Sequence, residues 1–355
     1  MKKQLATTIS SIAHAGWLRL LLFTLAFITF SAAAPYLIYR HLEAQPLSFD
    51  PRLLSWPVLG GSLLLLAVYF GSDGLRLYHT LRALGQNLPK RYLGKLVFIN
   101  ILFSNLTPLA SGGGFAQIWF LRRHGIRLGT ATAATTVRTL LAMVFIFTPT
   151  PFLLIALGPL HNKAIIGSLE IGFVLLASVY LVFFLVVLLR IRWILILLDA
   201  LLGLLHRRRL FGERRFRRWR ARTRRELFRF SYSFGAYLKG PKKHILLSIL
   251  YTATFLLALF SFPSLLFWGL GYRIDYLTAT GLLLVATFIM YVSPTPGASG
   301  IAEGVFGIFF ASMVASSDLV LVVIAWRFLP IYTGMLIGIP VTLHEILRKE
   351  PGGEG

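Results

Sequence analysis

Apolar runs too long for a water-soluble fold dominate this chain. Gly16–Tyr39, Ile165–Leu189 and Ile245–Leu270 each exceed the roughly 18 apolar residues that mark a membrane helix. A soluble domain of 355 residues would show half-polar helices or alternating strands instead, and neither pattern is present. The chain is 56% hydrophobic and only 14% charged, where soluble domains run near 25% charged. Its mean hydropathy of +0.73 agrees.

Two apolar stretches are interrupted by nearly the same six letters, Thr-Pro-Leu-Ala-Ser-Gly at Thr107–Gly112 and Thr-Pro-Gly-Ala-Ser-Gly at Thr295–Gly300. Each copy is followed by an arginine inside the next apolar stretch. Arg138 lies 31 residues after Thr107, and Arg327 lies 32 after Thr295. The matched offsets point to a duplicated membrane unit.

Segment lengths and basic loops give a topology. Full crossings are expected at Gly16–Tyr39, Trp56–Tyr78, Thr130–Leu157 (bent by Pro149 and Pro151), Ile165–Leu189, Ile245–Leu270 and Leu319–Leu343. The runs Leu96–Leu106 and Phe115–Leu121, like Tyr276–Val292 and Ile301–Val314, are short and flank the two motifs. Lys90, Arg91 and Lys95 precede the first broken pair and Arg122, Arg123 and Arg127 follow it, so both its ends face the cytoplasm. Three crossings separate the two broken pairs, so they enter from opposite sides. The expected fold is therefore an all-α polytopic membrane protein. It has about six full spans plus two re-entrant broken hairpins in an inverted repeat. Residues 1–355 form a single integral membrane domain, with a first repeat at 56–157 (hairpin near 96–121) and a second at 245–343 (hairpin near 276–314). Tyr276–Val292 could also cross if tilted, which would break the symmetry.

The formal charge of +23 is concentrated: His206–Arg229 holds twelve of the 36 basic residues. Such a block beside a membrane helix is expected to stay cytoplasmic, lying on anionic lipid as a surface segment. With Leu347-Arg348-Lys349 it puts both termini inside, in the cytoplasmic (inner) membrane. No soluble domain is present to present it to nucleic acid. The apolar N-terminal run is read as a retained first helix rather than a cleaved signal.

There is no cysteine, which excludes disulfides, zinc–thiolate sites and cysteine nucleophiles. The eight histidines lack metal-ligand spacing. Gly112–Gly114 fits neither a dinucleotide nor a phosphate-loop motif. No catalytic grouping, cofactor site or metal site is expected.

Breaking a helix in hydrocarbon frees backbone groups that need partners. Pro108, Pro294 and Pro296 lack a donor, and the motif glycines permit tight turns. Asn105, Thr107, Ser111, Ser293, Thr295 and Ser299 can serve the freed groups or a ligand. Helices beginning at about Phe115 and Ile301 would offer free N–H groups to an anion. Arg138 and Arg327 suit bidentate phosphate recognition, yet each costs about 3 kcal/mol near the bilayer centre. Glu303 and Gln117 could be corresponding polar residues near the starts of the second half-helices, Glu303 first as an arginine's counter-ion. An ion pair of Glu303 with either arginine that only joins the repeats is the alternative. Asp73 and Arg76 can pair at i,i+3, but read as interfacial, snorkelling residues. Asn100 is a weaker candidate for the hairpin wall, and Glu170 and Asp199 look interfacial.

Asn105-Leu-Thr-Pro108 with Ser111-Gly-Gly-Gly114 and Gln117, then Arg138, Pro294-Thr-Pro-Gly297, Gly300-Ile-Ala-Glu303 and Arg327 resemble the lysylphosphatidylglycerol synthase transmembrane-region family. That family comprises the flippase part of multiple peptide resistance factors and stand-alone relatives. The resemblance implies a polytopic inner-membrane protein with two re-entrant hairpins that handles lipids. In fused relatives an aminoacyltransferase domain follows. A chain ending at Gly355 is expected to lack that activity.

The expected function is a lipid flippase or transporter, not an enzyme. Its substrate-binding set would be Asn105, Thr107, Ser111, Gln117, Arg138, Ser293, Thr295, Ser299, Glu303 and Arg327. Its partners would be membrane lipids that are anionic or carry phosphate, not nucleic acid. A homodimer and a lipid-modifying enzyme partner are compatible with the chain. The rival readings are an intramembrane enzyme on a polyprenyl-phosphate or phospholipid, a small-solute carrier, and a non-transporting partner of lipid enzymes.

Overall fold

The computed structural model describes residues 50–108, 110–156, 235–291 and 293–347, with a few isolated helical positions elsewhere. Expected crossings at 16–39 and 165–189, the arginine block and Glu170 and Asp199 lie outside the described residues. Ten α-helices are described: α1 Trp56–Ala83, α2 Leu93–Leu106, α3 Ser111–Arg123, α4 Leu128–Phe147, α5 Thr150–Ala156, α6 Lys242–Gly269, α7 Tyr276–Tyr291, α8 Ile301–Phe310, α9 Ser316–Arg327 and α10 Thr333–Leu347. No strand occurs among the described residues; the backbone pairs outside helices at one isolated bridge.

Four stretches are long and apolar enough to cross a membrane: Trp56–Ala83, Leu128–Leu154, Lys242–Gly269 and Ser316–Leu347. They coincide with the four expected crossings that fall inside the described residues. Their outward faces are apolar. Leu63 and Leu64 on α1, Leu246, Leu250 and Leu257 on α6, and Leu336 and Leu343 on α10 are exposed, a band that water would penalise and lipid would not. α1, α3 and α6 end alike, at Gly85, Gly125 and Gly271 in the left-handed region. In each, the next residue bonds back five positions, as in Gln86 N–H to the Leu81 carbonyl at 2.9 Å. This glycine-terminated arrangement satisfies carbonyls that the helix would leave open.

Two of the four spans are interrupted. Pro149 separates α4 from α5, as its missing donor requires. The last span carries a π-helical turn at Phe328–Tyr332, containing Pro330, between α9 and α10. The sequence reading treated that span as unbroken.

α1 and α6 run antiparallel along each other. Val58 meets Gly269 and Gly61 meets Leu265, Tyr69 stacks on Phe255 with centroids 4.8 Å apart, and His79 lies beside His244. The first broken pair, α2 and α3, folds back on itself through glycine. A Cβ at Gly112 would stand 2.8 Å from the Phe103 carbonyl oxygen, and one at Gly113 would stand 1.8 Å from Ser104 Oγ. α3 therefore begins at Ser111, four residues before the expected start. The glycine run belongs to a close helix–helix contact and not to the turn. The left-handed residue at the turn is Ala110 (φ 51°). α10 packs on α2 through Gly334 and Gly338, the latter within 2.6 Å of the Phe98 carbonyl if given a Cβ.

The open ends of both pairs are closed by polar contacts. Lys95, at the start of α2, and Arg123 and His124, at the end of α3, converge on Glu345 of α10 at 3.1, 3.9 and 3.3 Å. Tyr272, ahead of α7, donates to Asp318 at 2.7 Å and accepts from the Ala315 amide at 3.1 Å, beyond α8. Burial, then the bond to Asp318, pushes the Tyr272 hydroxyl above its usual range. Arg52, just ahead of α1, reaches Gly271 beside this second base, whereas α2 follows the other end of α1. The two bases thus sit at different levels along α1, the second beside its start and the first near Gly74, where an added Cβ would stand 3.3 Å from Leu93.

If close approach is what the α3 glycines supply, Gly112→Ala should lower the apparent midpoint of thermal unfolding by the equivalent of about 1–3 kcal/mol of overpacking. Gly114→Ala, where an added Cβ meets nothing within 4 Å, should leave it unchanged or raise it. Equal effects of the two changes, measured in detergent, would refute the packing role.

Candidate functional site

The two Thr-Pro motifs meet. Pro108 and Pro296 form an isolated antiparallel bridge, and they hold the same position in their motifs. Proline has no N–H, so residues facing one another this way must form the non-hydrogen-bonded kind of pair. An antiparallel pairing of equivalent residues puts a two-fold axis between them. The adjoining backbones agree, since Ala110 and Ala298, again equivalent, have φ of 51° and 54°. A left-handed alanine costs about 1–2 kcal/mol, and both copies keep it.

Most of the hydroxyl and amide side chains expected to bind substrate are committed to their own loops. Thr107 Oγ1 donates to the Phe103 carbonyl at 2.8 Å and accepts the Gly112 amide at 2.7 Å. Ser111 donates to the Pro108 carbonyl, and Asn105 donates to the Ile101 carbonyl. Ser293 and Thr295 share a hydroxyl contact at 2.8 Å, and Thr295 donates to the Ser299 carbonyl. The helix N-termini are likewise partly used. The Gly300 amide donates to Glu303 Oε2 at 2.7 Å, so neither the Gly112 nor the Gly300 amide is open to an anion as expected.

The charged residues form two separate buried groups, one beside each broken pair. In the second, Arg327 Nε donates to Glu303 Oε1 at 2.7 Å and Nη2 donates to the Gly297 carbonyl at 2.9 Å and, more distantly, to Ser299 Oγ. Glu303 is fully buried and Arg327 is 1% exposed. Glu303 therefore neutralises an arginine, as its first-ranked role required, but within its own repeat, so this pair does not join the two halves.

In the first group Arg138 of α4 donates through Nη1 to Gln117 Oε1 at 3.1 Å and through Nη2 to Asp73 Oδ1. Arg76 Nε donates to that same oxygen at 2.8 Å, and its guanidinium lies 3.8 Å over the Phe255 ring of α6. Asp73 and Arg76 are 2% and 5% exposed. The expectation that they snorkel at the interface is overturned: ten residues of helix separate Asp73 from Ala83, about 15 Å at 1.5 Å each. Their i,i+3 pairing stands. Gln117 and Glu303 are counterparts in role, each holding its repeat's arginine. No contact joins Arg138 to Arg327 among the described residues.

Sequence reasoning missed Asp73 as the carboxylate for Arg138, and Glu345 altogether. Both carried a usable signal, a carboxylate in an apolar run. Asn100 lies on the hairpin wall against Gly113, as expected. Among the described residues no cluster of His, Asp or Glu could hold a metal ion.

Apolar spans, glycine-packed broken pairs and buried arginine pairs define a multi-pass helical membrane protein. The chain belongs to the family described as lysylphosphatidylglycerol synthase TM region, whose profile matches residues 17–338. It is also similar to a UPF0104 membrane protein of Archaeoglobus fulgidus, 24% identical over 324 residues that cover 91% of this chain and 97% of that protein.

Removing one member of a buried pair strands the other's charge. Arg327→Met should cost about 3–5 kcal/mol of stability, and Arg327→Met with Glu303→Gln should recover most of it. Thermal unfolding of the single and double variants checks this. A double variant no more stable than the single would mean that Arg327 acts through something other than Glu303.

Proposed function

We propose that this chain is a lipid flippase or transporter of the cytoplasmic membrane, moving a phospholipid or related lipid-phosphate between leaflets. One observation carries the reading: the two broken pairs touch at equivalent prolines while their bases lie at different levels along α1, one beside its start and one near Gly74. Read in a bilayer, that is a pair of re-entrant hairpins entering from opposite sides, an inverted repeat with its substrate path at the midplane. Family membership supports a lipid substrate.

In this mechanism the hairpin contact is the barrier between leaflets. Separating Pro108 from Pro296 opens a path for the headgroup, while the acyl chains stay in lipid. The arginine pairs flank that path and supply cations for a phosphate without leaving a bare charge in hydrocarbon when the path is closed. The basic residues Lys90, Arg91, Lys95, Arg122, Arg123 and Arg127, with the block His206–Arg229, support a cytoplasmic side for the termini and for the base of the first hairpin.

An intramembrane enzyme is the rival. It would draw its general base from Glu303, whose two oxygens are already held by Arg327 and the Gly300 amide. That commitment favours transport. Reconstituted protein should accelerate leaflet exchange of a labelled phospholipid, and Arg138→Ala or Arg327→Ala should reduce exchange to the protein-free rate. Exchange unchanged in both variants would end this mechanism. Exchange that requires a soluble solute gradient and no lipid would favour a small-solute carrier.

A further inference from the structure

The two buried groups differ in charge. Around Arg327 one guanidinium faces one carboxylate, and both Glu303 oxygens are used. Around Arg138 two guanidiniums face one carboxylate, and the residue that holds Arg138 from the broken pair is the neutral Gln117, in the role that Glu303 has for Arg327. Among the described residues the first group therefore keeps a formal charge of plus one.

Its fully buried side-chain atoms without a partner are all donors, and both arginines meet Asp73 through Oδ1 alone. Arg76 Nη1, Arg138 Nε and Gln117 Nε2 are buried and find no partner among the described residues. Both guanidiniums converge on a single oxygen of Asp73, Arg76 through Nε and Nη2 and Arg138 through Nη2 alone, so Arg138 does not spend its two-pronged face on a carboxylate. Phe255 covers Arg76 and fixes its plane. Three donors from α1, α3 and α4 with a surplus positive charge specify what is missing: an acceptor-only group carrying one negative charge.

We infer that Asp73, Arg76, Arg138 and Gln117 form a binding site for a phosphate-type monoanion. Arg76 is the residue that gives the site its charge selectivity; Arg327 also keeps one buried donor, Nη1, without a partner, but Glu303 balances its charge. If the chain is the lipid carrier proposed above, on which this substrate assignment rests, the preferred substrate has a net negative phosphodiester headgroup. A zwitterionic lipid brings an ammonium to a site already positive. Asp73 serves as the exchangeable counter-ion: when the anion takes Arg138, the carboxylate stays paired with Arg76 and is never stranded.

The test is lipid retention by the purified full chain, read by native mass spectrometry after incubation with equal amounts of phosphatidylglycerol and phosphatidylcholine. A parallel arm offers inorganic phosphate. The wild type should retain phosphatidylglycerol over phosphatidylcholine by about tenfold, the factor that one charge-assisted hydrogen bond supplies. Arg76→Gln should bring that ratio close to one, and Arg76→Lys should keep most of it. Wild-type protein that retains both lipids equally, or an Arg76→Gln variant with unchanged unfolding temperature and unchanged preference, would overturn the site. Displacement of phosphatidylglycerol by millimolar inorganic phosphate would support the site and assign it to a soluble anion. Selective binding without leaflet exchange would refute the carrier reading and leave the site standing. Exchange without selectivity would do the reverse.

Discussion

A guanidinium cannot lie unpartnered inside an apolar bundle, and the arrangement of this protein follows from where its buried arginines find acceptors. Arg327 takes a carboxylate, a carbonyl and a hydroxyl, all from the second motif and the helix after it. Arg138 takes an amide from α3 and a carboxylate from α1. Each arginine thus ties a broken pair to a neighbouring long helix. The broken pairs can turn back within the bundle because that tie and their own capping groups satisfy what the break exposes.

Around those ties the packing is governed by small residues. Gly112 and Gly113 bring α3 onto α2, Gly338 brings α10 onto α2, and Gly269 brings α6 onto α1. Where no water-driven collapse operates between helices, close approach of backbones is the main source of helix association. Polar side chains then serve local ends: Thr107, Ser111, Thr295 and Glu303 all bond to backbone of their own loops. The result is a contact between two tips, with a π-helical turn following Arg327. Such turns often mark functional sites.

The surroundings of the two motifs are unequal in their electrostatics. The two turns share a left-handed alanine, although the helix after the first starts at Ser111 and that after the second only past Gly300, while Gln117 and Glu303 differ by a full charge in corresponding roles.

Sequence alone determined the helical class, the four described crossings, the break points and the two arginines, because those features depend on composition, length and local spacing. The motif copies and the Asp73–Arg76 spacing were likewise legible, since an i,i+3 pair is fixed by helix geometry. What only the tertiary structure decided was partnership across the chain. Pro108 facing Pro296, Asp73 reaching Arg138 across 65 residues, and Lys95 reaching Glu345 across 250 depend on how helices dock. The glycines of α3 looked like turn residues because a missing side chain serves a bend and a close contact equally well. Only the neighbour that would have filled the space tells them apart.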